Sequence, residues 1–471
     1  MRKAGVLLHI SSLPGPYGCG TFGKYAYRFA DFLAASGLTS WQVLPFNLPH
    51  TDGCPYFSLS TFAQNPLFID PEILQEKGLL LPKEVAAIRD DAATCQRDFD
   101  MLARKREVQL RLAAKRFART QQAEEARQYV RERPGVLQAC RFLSRENPTE
   151  DNLFYYIFLQ YEFFRQWDAL HRYLAARGIE VIGDIPYYVN LSSSEVYYNP
   201  ECFLLNEDGQ PDFVSGVPGD RFSDAGQKWG HPLYNTAELQ KQNFRLLYDR
   251  MAFAAAFYDV TRIDHFQAVG AFYAIPAGGH PREGHWETGV GEPFIKRLVE
   301  EIGRERFVVE DFNCFPGGSY AIATQYGLPD MQIYQSTLLA GYTAASYKEN
   351  TVAYLGTHDC DTFMGYLQGL DAETRQQIAA LLRADGQTEN SVLCQLAIRD
   401  LFACKAQRVV LQAQDLLLEG TKSRMNIPGT VSRENWAWRL TEETLALLEA
   451  TSGYWHRLLT AHNRTKKPPC V

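Results

Sequence analysis

The chain has 471 residues, a net charge of −7, and 46% hydrophobic against 22% charged residues. This length suits one large barrel with insertions or two to three ordinary domains. The acidic balance argues against nucleic acid as a partner, because affinity for phosphates depends on basic residues that release counterions. No apolar run approaches the roughly 20 residues that cross a membrane. We therefore expect a neutral or small polar substrate.

Two features favour a cytoplasmic location. The ten cysteines are scattered from Cys19 to Cys470 without a CxxC pair, which fits reduced thiols better than a disulfide framework or a zinc site. The N-terminus has two cations and a short apolar run, but His9 interrupts that run and argues against a signal peptide.

The chain begins with a strand, a helix and a second strand. Gly5 to Ile10 is predicted to be a buried strand, Tyr25 to Ser36 an amphipathic helix and Trp41 to Pro45 another strand, the order of a parallel-sheet unit. The first loop contains Gly18-Cys-Gly20-Thr-Phe-Gly23, a match to GxGxxG. Two prolines separate this match from the strand and no acidic residue follows about 20 positions on, which argues against dinucleotide binding.

The same alternation returns later in the chain and gives eight predicted strands in total. Eight strands with helices between them predict an α/β protein with a closed (β/α)₈ TIM barrel, a single catalytic unit over residues 1–471. Two long connections are predicted, a mainly helical insertion at 73–178 between strands two and three, and an irregular substrate-binding loop at 191–234. The later strands are predicted at Glu180–Pro186, at 257–266 with an apolar lead-in from Ala254 to Tyr258, and at Arg306–Glu310, Met331–Gln335, Val352–Asp359 and Arg408–Gln414.

The stretch from Phe257 to Phe266 is apolar at first and ends in charged residues. A period of two places Arg262 and Asp264 on the same face of a strand. The guanidinium is expected to keep the carboxylate ionised by lowering its pKa, and an ionised, oriented carboxylate can act as a nucleophile. A structural ion pair at a strand end is the alternative for these two residues.

Polar side chains lie at the ends of several predicted strands, namely Asp184, Asp264, Glu310 and the pair His358-Asp359. The carboxyl ends of the strands form the active site of a (β/α)₈ barrel, and two carboxylates with different pKa values can cleave a glycosidic bond. We expect Asp264 to attack the anomeric carbon. Glu310 follows an apolar run, so a raised pKa would suit it to acid/base catalysis. Asp359, with His358, is expected to hold sugar hydroxyls and stabilise positive charge.

Two other classes of protein remain open. A glycan-binding protein would share the aromatic residues, such as Tyr56 in the hydroxyl-rich loop Pro55–Pro66, but would have no use for three oriented carboxylates. A metal-dependent barrel hydrolase commonly has a His-x-His pair on the first strand, where His9 stands alone. Its candidate ligands here are Asp264, His265, His358, Asp359 and Asp361.

The sequence resembles the 4-alpha-glucanotransferase family, the amylomaltases or disproportionating enzymes, which are barrel relatives of the α-amylases. The resemblance runs from Gly5 to Arg439 and covers nearly the whole chain outside the helical insertion. Six motifs carry it in order: Ser12-Leu-Pro-Gly-Pro-Tyr-Gly18, Trp41-Gln-Val-Leu-Pro45, Gly183-Asp-Ile-Pro186, Arg262-Ile-Asp-His-Phe266, Gly356-Thr-His-Asp359 and Arg424-Met-Asn-Ile-Pro-Gly-Thr430. A segment Asn435-Trp-Ala-Trp-Arg439 closes the match.

The resemblance implies an enzyme that transfers α-1,4-glucan segments between maltooligosaccharides or to glucose with retention of configuration. An α-glucan hydrolase on the same barrel is the alternative. The resemblance also implies no cofactor, no metal and no C-terminal β-domain. By resemblance, Asp264 is the nucleophile, Glu310 the acid/base and Asp359 the stabiliser of the transition state. The residues implied to bind the donor sugar are Tyr56, Asp184, Arg262 and His358. Those implied to extend the glucan groove are Ser58, Gln227, Trp229 and Asn426.

Three motifs depart from the family pattern. Cys54-Pro-Tyr-Phe57 stands where Ser-Pro-Tyr-Gln is usual, Pro218-Gly-Asp-Arg-Phe222 where Pro-Pro-Asp-Tyr-Phe is usual, and Glu310-Asp-Phe-Asn313 where Glu-Asp-Leu-Gly is usual. None of them removes a catalytic carboxylate. Gly219 and Arg221 fall in the loop expected to shape the acceptor side, so we expect more hydrolysis relative to transfer than with the usual loop.

Overall fold

The computed structural model describes residues 2–50, 53–90, 99–219, 224–341 and 343–465. Its main sheet has eight parallel strands: β1 (Lys3–Leu7), β2 (Ser40–Gln42), β3 (Glu180–Ile185), β4 (Val260–Ile263), β5 (Phe307–Val309), β6 (Asp330–Ile333), β7 (Thr351–Tyr354) and β8 (Arg408–Gln412). Their order in the sheet is β5-β4-β3-β2-β1-β8-β7-β6. Between the two outer strands the Val309 N–H donates to the Pro329 carbonyl at 2.9 Å, so the ring is nearly closed and the predicted (β/α)₈ barrel is confirmed.

The barrel strands are buried along nearly their whole length. Ala4 and Val6 of β1 have no exposed surface, as expected for parallel strands that are covered on both faces. Close packing also explains Gly183 in β3, because a Cβ atom there would lie 2.0 Å from the Tyr258 ring. Only glycine fits at this position.

Helices connect the strands. The first, Lys24–Ser36, buries Ala26, Phe29 and Leu33 on one face, with the spacing of an amphipathic helix. It ends at Gly37, whose left-handed φ of 73° suits glycine. Among the described residues no helix is long and apolar enough to cross a membrane. The other α-helices are Pro71–Glu76, Pro82–Ala86, Phe99–Phe117, Gln122–Arg131, Pro134–Ser144, Glu150–Ala176, Ser194–Tyr198, Thr236–Lys241, Arg245–Phe257, Gly291–Glu301, Ser319–Gln325, Tyr334–Thr337, Phe363–Gly369, Ala372–Leu381, Asn390–Ala403, Ala413–Leu416 and Glu442–Ala461.

The connection between β2 and β3 is mostly helical where the structure describes it, and its longest helix is Glu150–Ala176. This helix packs against the loops at the barrel, since the Trp167 ring lies 5.7 Å from Phe22 and 5.0 Å from Phe46. The division of the chain into one barrel with insertions at 73–178 and 191–234 stays a prediction.

The passage 191–234 is not irregular as expected. Phe213–Val217 pairs antiparallel with Gln227–Pro232 and also with Ala271–Pro276. Ala271–Pro276 pairs in turn with His285–Thr288, which completes a four-stranded sheet beside the barrel. Two of the three pairings join neighbouring segments, but the central one joins Phe213–Val217 to Ala271–Pro276, about 60 residues further along the chain, and no local pattern reveals that pairing. A two-stranded sheet joins Asn47–Pro49 and Ser58–Gln64.

The predicted fourth strand was too long at its start. Its apolar lead-in, Ala254 to Tyr258, belongs mainly to the helix Arg245–Phe257, and β4 begins at Val260. A short apolar run is compatible with a buried helix or a buried strand, and periodicity alone does not separate the two.

Candidate active site

Arg262 lies at the centre of a cluster of carboxylates at the carboxyl ends of β3, β4 and β5. The parallel register places it opposite Asp184, and its Nη1 donates to Asp184 Oδ2 at 2.6 Å. The two side chains are 1% and 0% exposed. Buried charges need further hydrogen bonds to compensate for lost hydration, and the Tyr56 hydroxyl donates to the same Asp184 oxygen at 2.7 Å.

The second terminal nitrogen of Arg262 faces two more carboxylates. Nη2 lies 3.1 Å from Asp264 Oδ1 and 2.8 Å from Glu310 Oε1. Backbone bonds continue the sheet past the strand ends and fix both residues, because Asp264 N–H donates to the Ile185 carbonyl and Glu310 N–H to that of Ile263. Three carboxylates from three strands therefore share one guanidinium.

The pKa values of two of these carboxyls differ from the expectation. Burial raises the pKa of Asp264 well above its usual range, and Arg262 opposes that shift only in part. Neighbouring Glu310 and Asp184 carboxylates push the pKa of Asp264 in the same direction as burial. Burial also acts to raise the pKa of Glu310, but Arg262 and the His265 N–H outweigh it and lower that pKa. The predicted low pKa of Asp264 and raised pKa of Glu310 are both wrong, because burial prevails over Arg262 at Asp264, whereas Arg262 and the His265 N–H prevail over burial at Glu310.

Tyr56 and His358 form a stacked pair beside Asp184. Their ring centroids are 5.3 Å apart with 12° between the planes, and the Tyr56 hydroxyl lies 2.9 Å from His358 Nε2. Since this hydroxyl donates its only proton to Asp184, it accepts from His358, which therefore carries a proton on Nε2. The chain of hydrogen bonds fixes both rings relative to the carboxylate cluster.

Asp359 lies next to His358 and is held from the loop after β8. The Asn426 amide donates to Asp359 Oδ1 at 2.7 Å, and the other carboxylate oxygen lies 3.3 Å from His358 Nε2. Arg424 donates to the backbone carbonyls of Asp359 and Asn426, each at 2.7 Å. Both loops are thus locked together at the mouth of the barrel.

A second wall of the site is aromatic and uncharged. The indole N–H of Trp229 donates to Gln227 Oε1 at 3.1 Å, and its ring lies edge-on to His265 at 4.7 Å. His265 in turn contacts Glu310 through its backbone N–H at 2.9 Å. This wall therefore adjoins the cluster through His265, whose pKa burial lowers to about 4.

The structure brings most of the predicted site residues together. Ser58 is buried at the start of Ser58–Gln64, but the described residues give its side chain no contact with the cluster. Arg221 and Phe222 of the expected acceptor loop lie outside the described residues. The residues joined in continuous contact are Tyr56, Asp184, Gln227, Trp229, Arg262, Asp264, Glu310, His358, Asp359 and Asn426.

Sequence reasoning missed three side chains that touch these residues. Tyr188 lies 5.8 Å from the His265 ring and 6.1 Å from Trp229. Trp436 packs on Tyr56 and His358, and Arg424 joins two loops. Arg424 and Trp436 lie within segments that resemble the family, and this resemblance could have marked them as site residues. Tyr188 lies two residues after another such motif.

The residues proposed as metal ligands do not form a common site. Asp361 instead accepts from the Thr421 hydroxyl at 2.8 Å and from the Thr362 N–H at 2.7 Å. In the part of the chain that the structure describes, no three His, Cys, Asp or Glu side chains are grouped to hold a metal ion. The positive charge among the carboxylates is that of Arg262.

Comparison with known proteins decides the family. The model of the 4-alpha-glucanotransferase family matches residues 8–143 and 141–445. The chain belongs to this family. A 4-alpha-glucanotransferase from Aquifex aeolicus is 32% identical over 473 residues, covering 94% of this chain and 96% of its own. The chloroplastic enzyme of Solanum tuberosum is 30% identical, covering 94% and 83%.

Solved structures agree with this assignment. The amylomaltase from Streptococcus agalactiae, in complex with acarbose, superposes with a TM-score of 0.91 at 29% identity, covering 99% of this chain and all of that one. An amylomaltase from Corynebacterium glutamicum shares the fold, with a TM-score of 0.81 at 18% identity, covering 99% of this chain and 75% of that one. The predicted family and activity are confirmed: the chain is an enzyme that transfers glucan segments.

Proposed function

We propose that the enzyme moves an α-1,4-glucan segment from a maltooligosaccharide to the 4-hydroxyl of glucose or another glucan by a retaining double displacement. The observation that carries the mechanism is the shared contact with Arg262 Nη2, 3.1 Å from Asp264 Oδ1 and 2.8 Å from Glu310 Oε1. The two carboxylate oxygens are therefore no more than about 6 Å apart, close to the spacing of retaining enzymes and below the range of about 6.5 to 9.5 Å for inverting ones.

In the first step Asp264 attacks the anomeric carbon while the glycosidic bond breaks, and Glu310 gives its proton to the leaving oxygen. In the second step Glu310 removes the proton of an acceptor hydroxyl, whose oxygen attacks the anomeric carbon and releases the Asp264 carboxylate. Water in place of the sugar acceptor gives hydrolysis. The configuration at the anomeric carbon is inverted twice and so retained.

The first step requires a proton on Glu310 and none on Asp264. Without sugar, burial raises the pKa of Asp264 and Arg262 lowers that of Glu310. These shifts favour a proton on Asp264 and none on Glu310. The productive complex therefore needs the proton to move to Glu310, where the glycosidic oxygen can receive it. Contacts of catalytic acids commonly tighten only when substrate is bound.

The other contacts suggest separate roles for the remaining side chains of the site. Tyr56, Asp184 and His358 would bind hydroxyls of the donor sugar next to the cluster. Asp359, held by Asn426, would stabilise the positive charge that develops at the anomeric carbon. Ser58, Gln227 and Trp229 would extend the groove, the last by stacking on a sugar ring.

We also propose a cytoplasmic location and α-1,4-glucans, maltooligosaccharides and glucose as the substrates. The thiols of Cys140, Cys202 and Cys394 are buried and free, which fits a reducing compartment. The acarbose complex of the similar amylomaltase supports a saccharide ligand for this fold.

Incubation with maltotriose tests the proposal. A ladder of longer chains with glucose is the expected result, and the new linkages should be α when read by NMR at early times. Glucose and maltose without longer chains would indicate a hydrolase, and β products would exclude double displacement. Exhaustive chelation should leave the rate unchanged, whereas a loss that zinc or manganese restores would favour the metal hydrolase.

A further inference from the structure

The segment Asn435–Leu440 holds the mouth of the barrel together from one side. The Asn435 side chain accepts from the Ile427 N–H at 3.2 Å and donates to the Thr430 carbonyl at 3.0 Å. The Trp436 N–H donates to the Met425 carbonyl at 2.7 Å. These bonds fix the loop that carries Asn426, the partner of Asp359.

The other end of the same segment is bonded to the loop after β1. The Leu440 N–H donates to the Ser12 carbonyl at 2.8 Å, and the Ser12 hydroxyl donates to the Trp438 carbonyl at 2.8 Å. Arg439 donates to the carbonyls of Leu13 and Gly15. These seven bonds all involve the six residues from Asn435 to Leu440, so the backbone of this segment has little freedom.

Trp436 sits at the centre of this segment in an unusual conformation. Its φ is 64°, in the left-handed region that a bulky residue rarely adopts. Such a conformation persists where the surroundings determine it, and it occurs most often at functional sites. The side chain is only 7% exposed, so its surface is used for packing.

The ring of Trp436 packs against both members of the stacked pair. Its centroid lies 5.8 Å from that of Tyr56 and 6.0 Å from that of His358. Tyr56 has to reach Asp184 and His358 at once, at 2.7 and 2.9 Å. A swing of the Tyr56 ring about its Cα–Cβ bond would carry the hydroxyl away from both partners, and the indole packs against both rings of the stack.

We propose that Trp436 is a positioning residue, which holds Tyr56 and His358 in the stack that binds the donor sugar. This inference rests on the proposed function of those two residues. It places Trp436 on the donor side, because its ring contacts Tyr56 and His358, whereas Trp229 and His265 adjoin the cluster through Glu310. Loss of the ring should slow every reaction that begins with a bound donor, whatever the acceptor.

The test compares Trp436→Gly with the wild type on two donors, maltotriose and α-maltotriosyl fluoride. Glycine removes the ring and accepts the left-handed backbone without strain. With the fluoride, the C1–F bond breaks, fluoride leaves with the electron pair and Asp264 forms the C1–O bond, so no proton from Glu310 is required. Single-turnover fluoride release thus reports donor positioning and nucleophilic attack only.

We expect Trp436→Gly to lower kcat/KM for maltotriose and the rate of fluoride release by the same factor, on the order of 10² for a displacement of about 1 Å. The ratio of transfer to hydrolysis should stay that of the wild type. Trp436→Phe, which keeps a flat ring, should recover most of the rate. A Trp436→Gly enzyme as fast as the wild type, or one with a changed ratio, would overturn the inference.

Two controls separate positioning from folding and from the proposed mechanism. Trp455→Ala removes an indole that is 6% exposed in the helix Glu442–Ala461, and it should lower stability while leaving both rates unchanged. If Trp436→Gly does not fold, Trp436→Leu keeps apolar volume without a flat ring and should show the same paired loss. Glu310→Gln should slow maltotriose cleavage far more than fluoride release. A wild type that makes no ladder would reject the proposed function, whereas a ladder with an unaffected Trp436→Gly rejects only the present inference.

Discussion

Each end of the barrel holds a cluster of charged side chains. Cations outnumber carboxylates at one end, and carboxylates outnumber cations at the other. At the amino ends of the strands, Glu180 of β3 pairs with Lys3 of β1 and with Arg408 of β8, the latter at 2.6 Å. Two cations there serve one carboxylate. At the carboxyl ends, one cation, Arg262, serves three carboxylates.

Burial differs as much as charge. The Glu180 side chain is 34% exposed and Arg408 13% exposed, whereas Arg262 is 1% exposed. A partly solvated cluster with an excess of positive charge contributes modestly to stability. An excess of buried negative charge costs stability and is retained where chemistry needs it. The comparison supports the proposed role of the carboxyl-end cluster in the reaction, whereas the amino-end cluster contributes to the stability of the fold.

The largest effect should follow Asp264→Asn, which removes the proposed nucleophile and one excess negative charge. We expect activity on maltotriose to fall on the order of 10⁴-fold or more, while the free energy of unfolding stays equal or rises because like charges no longer crowd Arg262. Product ladders and urea unfolding measure the two effects. A large loss of stability in this variant would contradict the assignment of the cluster to the reaction.

Arg262→Met should show how much the buried carboxylates lower the free energy of unfolding when the guanidinium between them is removed. The variant leaves three carboxylates in a buried site, so we expect a loss of about 3 to 5 kcal/mol in the free energy of unfolding and no measurable activity. The matched variant at the other end is Arg408→Met, with an expected loss of about 1 kcal/mol because Glu180 keeps Lys3. Equal losses at the two ends would show that the balance of charge does not matter.

The pH dependence of stability sharpens the same contrast. Because burial and the neighbouring carboxylates raise the pKa of Asp264, the folded state binds its proton more tightly than the unfolded state. From about pH 4, the unfolded value, upward to the raised folded value, the wild type should lose stability relative to Asp264→Asn by up to about 1.4 kcal/mol per pH unit. Denaturant unfolding of both proteins between pH 4 and 7 measures this. A constant difference would mean that the pKa of Asp264 is not raised.

The smallest effect is expected for Glu180→Gln at the amino end. It removes one partly exposed partner of Lys3 and Arg408, so stability should fall by about 1 kcal/mol or less. Activity on maltotriose should be that of the wild type, since the residue lies at the far end of the barrel. A loss of activity without a loss of stability would show that the two ends are coupled.

Much of this fold follows from patterns within single segments. Each barrel strand is a short apolar run, and the alternation of such runs with amphipathic helices such as Lys24–Ser36 predicts the barrel. The four-stranded sheet around Phe213–Val217 was missed because its central pairing joins that strand to Ala271–Pro276, about 60 residues further along the chain. The end of the helix Arg245–Phe257 was taken for part of β4 because both elements are buried and apolar.

The sequence by itself determined that three acids meet, because Asp184, Asp264 and Glu310 lie at the carboxyl ends of parallel strands that share one rim. Only the tertiary structure decided how those acids divide their protons. The pKa of a carboxyl depends on burial and on every charge within a few ångströms, and these charges come from three strands. The same holds for Trp436, which reaches Tyr56 across 380 residues of chain; contacts of this kind arise from packing between loops, and no local period in the sequence encodes them.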